Sequence, residues 1–108
     1  FDLDETLLIR EHAVSDVLNF IYKLKVEGKQ LVLLTRHTKN IIKTLESIRL
    51  KPDIFDEIIK VKRYQKKSSF IENNSKTIFI DNEFLERFDV WSKCSIPVLN
   101  LDQLEFMN

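Results

Sequence analysis

The chain has 108 residues, 44% of them hydrophobic and 31% charged, with 17 basic and 17 acidic side chains and a formal net charge of zero. That is material for one domain around one core, and the even balance points neither to a nucleic acid nor to an acidic membrane surface. A single cysteine excludes an internal disulfide and a cysteine-based metal cluster, a single glycine excludes Walker- and Rossmann-type phosphate loops, and no apolar run reaches the length of a membrane span. With no signal peptide visible, a reducing cytoplasm is the expected setting.

The chain opens Phe1-Asp2-Leu3-Asp4-Glu5-Thr6-Leu7. On an extended strand Asp2 and Asp4 lie on one face. Only one apolar residue precedes Asp2, so the numbering is expected to begin inside a strand. Arg10-Glu11-His12 reads as a short polar link. Val14, Val17, Leu18, Phe20, Ile21 and Leu24 then recur at helical spacing, which predicts a helix over roughly 14–27 with Gly28 as its left-handed cap. Leu31-Val32-Leu33-Leu34 is an unbroken apolar run, the pattern of a strand buried on both faces, and it ends in Thr35-Arg36-His37-Thr38. Thr38 can cap a second helix carrying Ile41, Ile42, Leu45 and Ile48, which Lys51-Pro52 should stop.

Residues 55–61 read as a turn and a third strand, and 62–67 as a basic loop. Ser68 or Ser69 begins a short helix with Phe70 and Ile71, which Asn73-Asn74-Ser75 breaks. Thr77-Ile78-Phe79-Ile80 is a fourth apolar run, ending in Asp81-Asn82-Glu83. A helix with Phe84, Leu85, Phe88 and Trp91 follows, then a short edge strand, Ile96 to Leu99, limited by Pro97. The tail, 101–108, is expected to pack as a last helical turn.

Strands alternating with helices predict an α/β fold: a three-layer, Rossmann-like domain over residues 1–108 with a mainly parallel five-stranded sheet in the order 3-2-1-4-5. In that order the ends of strands 1, 2 and 4 meet at one crevice. Those ends carry Asp2 and Asp4, Thr35, and Asp81.

Such a set has the parts that phosphoryl transfer requires. Asp2 can attack phosphorus and form an aspartyl-phosphate. Asp4 can give a proton to the leaving oxygen and later take one from water. Mg²⁺ favours oxygen ligands, and Asp2, the backbone carbonyl of Asp4 and Asp81 can supply them. Thr35 can hydrogen-bond a phosphate oxygen, and a lysine near the third helix can hold its charge.

The joint pattern resembles the haloacid dehalogenase (HAD) superfamily of aspartate-nucleophile phosphatases. Residues 2–6, DLDET, look like its first motif and Thr35 like its second. Lys66 or Lys67 looks like the third, with Lys67 favoured because Phe70 and Ile71 follow it by three and four residues; Lys60 and Lys62 also lie close. Asp81 looks like the fourth. Asn82 stands where many members have a second acid, and can still ligate the metal directly or through water. An Asp-Asn pair after a DLDETL opening also resembles the small C-terminal-domain phosphatases. The resemblance implies Mg²⁺ dependence, Asp2 as nucleophile and Asp4 as acid and base.

Neither the stretch after Leu7 nor residues 61–76 have room for a cap domain. A capless site is open and suits a large phosphorylated substrate, or a small one closed over by another subunit. Arg36, Thr35 and Lys67 are its expected contacts, together with His37 and the loop 62–67. The alternative is a catalytically impaired interaction domain or a fragment of a larger enzyme. A phospho-acceptor receiver domain is a third, disfavoured reading, since its acceptor aspartate ends the third strand and this one ends Ile59-Lys60-Val61.

Overall fold

The computed structural model describes residues 8–9, 12–13, 15–37, 39–72, 76–100 and 103. The opening heptad, with Asp2 and Asp4, lies outside them, as do Thr38, 73–75 and all but one residue of the tail.

Two short strands, β1 (Leu8–Ile9) and β2 (His12–Ala13), pair antiparallel with Leu8 opposite Ala13 and Ile9 opposite His12. His12, expected in the polar link Arg10-Glu11-His12, lies instead in β2. Helix α1 (Ser15–Val26) buries Phe20 and Ile21 and ends in a Schellman turn. In that turn the Gly28 and Lys29 N–H groups donate to the Lys25 and Leu24 carbonyls, and Gly28 takes the left-handed φ of 79° expected of it.

Strand β3 (Val32–Thr35) pairs parallel with β4 (Glu57–Lys60), Val32 opposite Glu57 and Thr35 opposite Lys60. Asp56 fixes where this ladder starts. Its N–H donates to the Leu31 carbonyl at 2.8 Å, and its Oδ2 accepts from the Leu31 N–H at 2.7 Å. That hydrogen bond, with the Lys25 ammonium 3.3 Å away, holds the Asp56 carboxyl below its ordinary range. Between the two strands runs α2 (Ile41–Ser47). Its cap is Asn40, whose side chain accepts from the Lys43 N–H at 3.1 Å. The helix stops at a second Schellman turn, with Arg49 at φ 62°, before Pro52 opens a 3-10 turn over Pro52–Ile54.

A second 3-10 helix covers Lys67–Phe70. Strand β5 (Phe79–Ile80), helix α3 (Phe84–Cys94) and strand β6 (Val98–Leu99) follow, β5 and β6 pairing parallel. This ladder is short for a local reason. Pro97 has no N–H to give, so the pairing begins with its carbonyl accepting from Phe79.

Each strand from β3 to β6 divides its side chains between two apolar clusters. Leu33, Ile58, Ile80 and Leu99 join one, with Phe20, Ile21 and Leu45 from α1 and α2. Leu34, Ile59, Phe79 and Val98 join the other, with Val90 and Cys94 from α3. The run 31–34 is therefore enclosed from both faces, as its composition requires, whereas in the run 77–80 only Phe79 and Ile80 are buried. The expected five-stranded, Rossmann-like sheet in the order 3-2-1-4-5 is not the architecture, however. Among the described residues the strands form three separate two-stranded sheets, and no ladder joins the β3–β4 pair to the β5–β6 pair. The runs that were to line up in one sheet contribute only four- and two-residue ladders, and each finds a single neighbour. No helix among the described residues is long and apolar enough to cross a membrane.

Candidate functional site

The polar centre is assembled from the ends of β3 and β5, the second 3-10 helix and the first turn of α3. Thr35, Lys67 and Asp81 are all buried there, with Thr35 and Asp81 fully enclosed and Lys67 2% exposed. Lys67 Nζ lies 2.7 Å from Asp81 Oδ2 and 3.3 Å from Glu86 Oε2. Of the four lysines open as candidates, Lys60, Lys62 and Lys66 are exposed, and Lys67 is the one brought inside.

Asp81 is held on every side. Its Oδ1 accepts from the Glu83 N–H at 2.9 Å, and its carbonyl accepts from Arg87 at 2.9 Å. Asn82, beside it, is exposed on a bend. Thr35 Oγ1 accepts from the His37 N–H at 2.9 Å, which tightens the chain as it leaves β3.

Arg36 and His37 do not reach outward as a substrate clamp would. The Arg36 guanidinium donates to both oxygens of Glu86, at 2.9 and 3.2 Å, and to the carbonyls of Lys62 and Gln65, each at 2.8 Å. His37 is buried, its Nε2 3.0 Å from the Thr44 hydroxyl. That hydroxyl also lies 3.0 Å from the Asn40 carbonyl.

Glu86 joins the two halves of the centre. It bridges Arg36, next to the end of β3, and Lys67, which binds the end of β5. Burial pushes its carboxyl up, but the Arg36 hydrogen bond and the Lys67 and Arg36 charges outweigh burial and hold it below its ordinary value. Two cations and two carboxylates thus close into a neutral cluster, the arrangement in which buried charge is tolerable. The sequence reading did not single out Glu86. Its one signal was an acid in the first turn of the helix after Asp81, which the positive end of a helix favours in any case.

The expected Mg²⁺ ligands are Asp2, Asp4, Asp81 and Asn82. The first two lie outside the described residues, and no group of three His, Cys, Asp or Glu able to hold a metal ion occurs among the described ones. Asp81 alone, already neutralised by Lys67, is not a divalent cation site. A cation beside that ammonium needs further carboxylates, and the chain's candidates are Asp2 and Asp4. Asp2 and Asp4, the expected nucleophile and acid–base pair, are likewise placed by sequence alone.

Compared with known proteins, the chain matches no family model, no curated relative and no solved structure.

Proposed function

We propose that the chain is a Mg²⁺-dependent phosphatase of the haloacid dehalogenase kind, hydrolysing a phosphomonoester through an aspartyl-phosphate. The observation that supports it is the buried Lys67–Asp81 pair, linked through Glu86 to the residue after Thr35. A lysine and an aspartate paired in an apolar interior are costly, and such groups concentrate where charge has to be handled.

In this reading an Asp2 oxygen forms a bond to phosphorus as the ester oxygen departs, and Asp4 gives that oxygen its proton. Asp4 then takes a proton from the water that attacks the aspartyl-phosphate, releasing inorganic phosphate and restoring Asp2. Thr35, its Oγ1 already accepting from His37, has its own hydrogen to donate to a phosphate oxygen. Lys67 offsets the charge on phosphate and nucleophile, and Asp81 fixes where its ammonium stands. Mg²⁺, held by Asp2, the Asp4 carbonyl, Asp81 and Asn82, would neutralise the phosphate so that a carboxylate can approach it. Arg36 has a positioning role, tying Glu86 to the 62–65 turn. The proposed setting is the cytoplasm, consistent with a lone, unpaired Cys94.

The test is phosphate release from p-nitrophenyl phosphate. Release is expected with Mg²⁺, and is expected to stop with a chelator and with Asp2→Asn. A rate that Asp2→Asn leaves unchanged removes the mechanism.

One observation favours a second reading, an interaction domain or a fragment of a larger enzyme. The α3 residues Phe84, Leu85, Phe88 and Trp91 are 66, 74, 53 and 58% exposed, a continuous apolar face of the kind seen at contact surfaces. A cooperatively folded chain that releases no phosphate would favour it.

A further inference from the structure

The chain is neutral overall, but its charge is not evenly spread. From Ile58 to Ile71 there is no acid and there are five cations. Lys67 is the buried one. Lys60, Lys62, Arg63 and Lys66 are exposed, and Tyr64 among them is 78% exposed. None of these four cations is in an ion pair within the described residues. Lys25 and Lys93, also on the surface, each sit beside an aspartate.

The backbone beneath these side chains is pinned. The Gln65 N–H donates to the Lys62 carbonyl at 2.9 Å, and the Lys62 N–H donates to Gln65 Oε1 at 2.9 Å. Arg36 reaches out of the Lys67–Asp81–Glu86 cluster to hold the carbonyls of both turn ends. The turn is therefore fixed to the same cluster as the candidate phosphate-binding lysine, while its own cations and aromatic ring stand in solvent. A turn whose backbone is already fixed loses less entropy on binding than a mobile loop.

We propose that this turn docks the sugar–phosphate backbone of a single-stranded nucleic acid, with Tyr64 as a stacking face for one base. It also names the substrate class of the phosphatase proposed above, a terminal phosphate on such a strand, and in that clause alone it rests on that reading. Cations spread along the chain from Lys60 to Lys66 match a ligand whose charge repeats along its length. A phosphopeptide presents one dianion, which one or two cations satisfy. An exposed tyrosine ring between cations has a use with unstacked bases, each of which offers a π-face, and little use with an isolated phosphate.

The experiment is fluorescence anisotropy with labelled 12-nucleotide oligothymidylate, using the Asp2→Asn chain so that nothing is turned over. Four phosphate contacts predict binding roughly fiftyfold weaker between about 50 and 200 mM salt. Tyr64→Ala is expected to weaken binding by about fivefold or more, as loss of one stacked base does. Lys62→Ala/Arg63→Ala should weaken it further and flatten the salt dependence. All three positions are exposed, so circular dichroism should show the fold retained. No binding, binding indifferent to Tyr64→Ala, or equal competition by a phosphoserine peptide of matched charge would each overturn the proposal. Oligonucleotide binding without phosphate release from p-nitrophenyl phosphate would sink the phosphatase and leave the docking site standing.

Discussion

Lys67 and Asp81 are worth far more to each other than to the interior around them. Lys67→Ala leaves a buried carboxylate without its nearest counter-charge, and about 3–5 kcal/mol of stability should be lost on urea unfolding. Lys67→Met/Asp81→Asn removes both charges, keeps an acceptor for the Glu83 N–H and leaves Arg36 with Glu86. It should recover most of that loss. If the double variant is as unstable as the single one, the pair is not coupled in the way its 2.7 Å contact indicates. Glu86 gives a pH test. Its folded-state pKa lies below the unfolded value of 4.5, so its contribution is complete above about pH 4.5 and disappears as pH falls through the lower folded value. Wild-type stability should therefore fall relative to Glu86→Gln as acid is added below about pH 4.5, and parallel acid limbs would refute it. At this scale the sequence pointed to Thr35 and Asp81 as polar groups ending apolar runs, and to Lys67 through Phe70 and Ile71 three and four residues on, and all three are buried. It did not carry Glu86 or the inward turn of Arg36 and His37. Those depend on how α3 brings Glu86 to Arg36 and α2 brings Thr44 to His37, and residue order does not encode that.

The two Schellman turns give opposite predictions for glycine. At Gly28, φ 79° suits the residue, and Gly28→Ala should cost about 1 kcal/mol of stability, although a Cβ there meets no atom within 4 Å. At Arg49 the chain takes the same turn at φ 62° with an exposed arginine, so Arg49→Gly should raise the melting temperature. A lower value would show that the arginine side chain compensates for its strained backbone. The elements themselves were largely legible. Strong periodicity marked α1, α2 and α3, and unbroken apolar runs marked β3 and β5. The β1–β2 hairpin was not, since Arg10-Glu11 carries none of the Asn-Gly or Gly-X signals of a two-residue turn. Asn40 in place of Thr38 at the head of α2 shows a different limit: two good capping residues two positions apart, with the exact start set by packing.

Across the molecule, the two apolar clusters share every strand from β3 to β6, and their stability should be shared too. Leu33→Ala and Leu34→Ala, one facing each cluster, should each cost about 2–5 kcal/mol, and α1-side and α3-side probes should still report one coincident transition. Separate transitions would make the clusters independent folding units. The expected five-stranded sheet failed here because alternation of strands and helices fixes the layers but not the ladders. Pro97 without an N–H limits the β5–β6 pairing in a way that apolar content alone does not reveal. Cys94 adds a practical consequence. The only thiol in the chain sits with no exposed surface, its Sγ 3.5 Å from the Ser68 carbonyl, and burial followed by the nearby Asp89 charge raises its pKa. A thiol-specific dye can therefore react only when α3 lifts from the second 3-10 helix. The labelling rate, set against that of an unfolded peptide thiol, is a clock for that opening, readable in native buffer without any engineered probe.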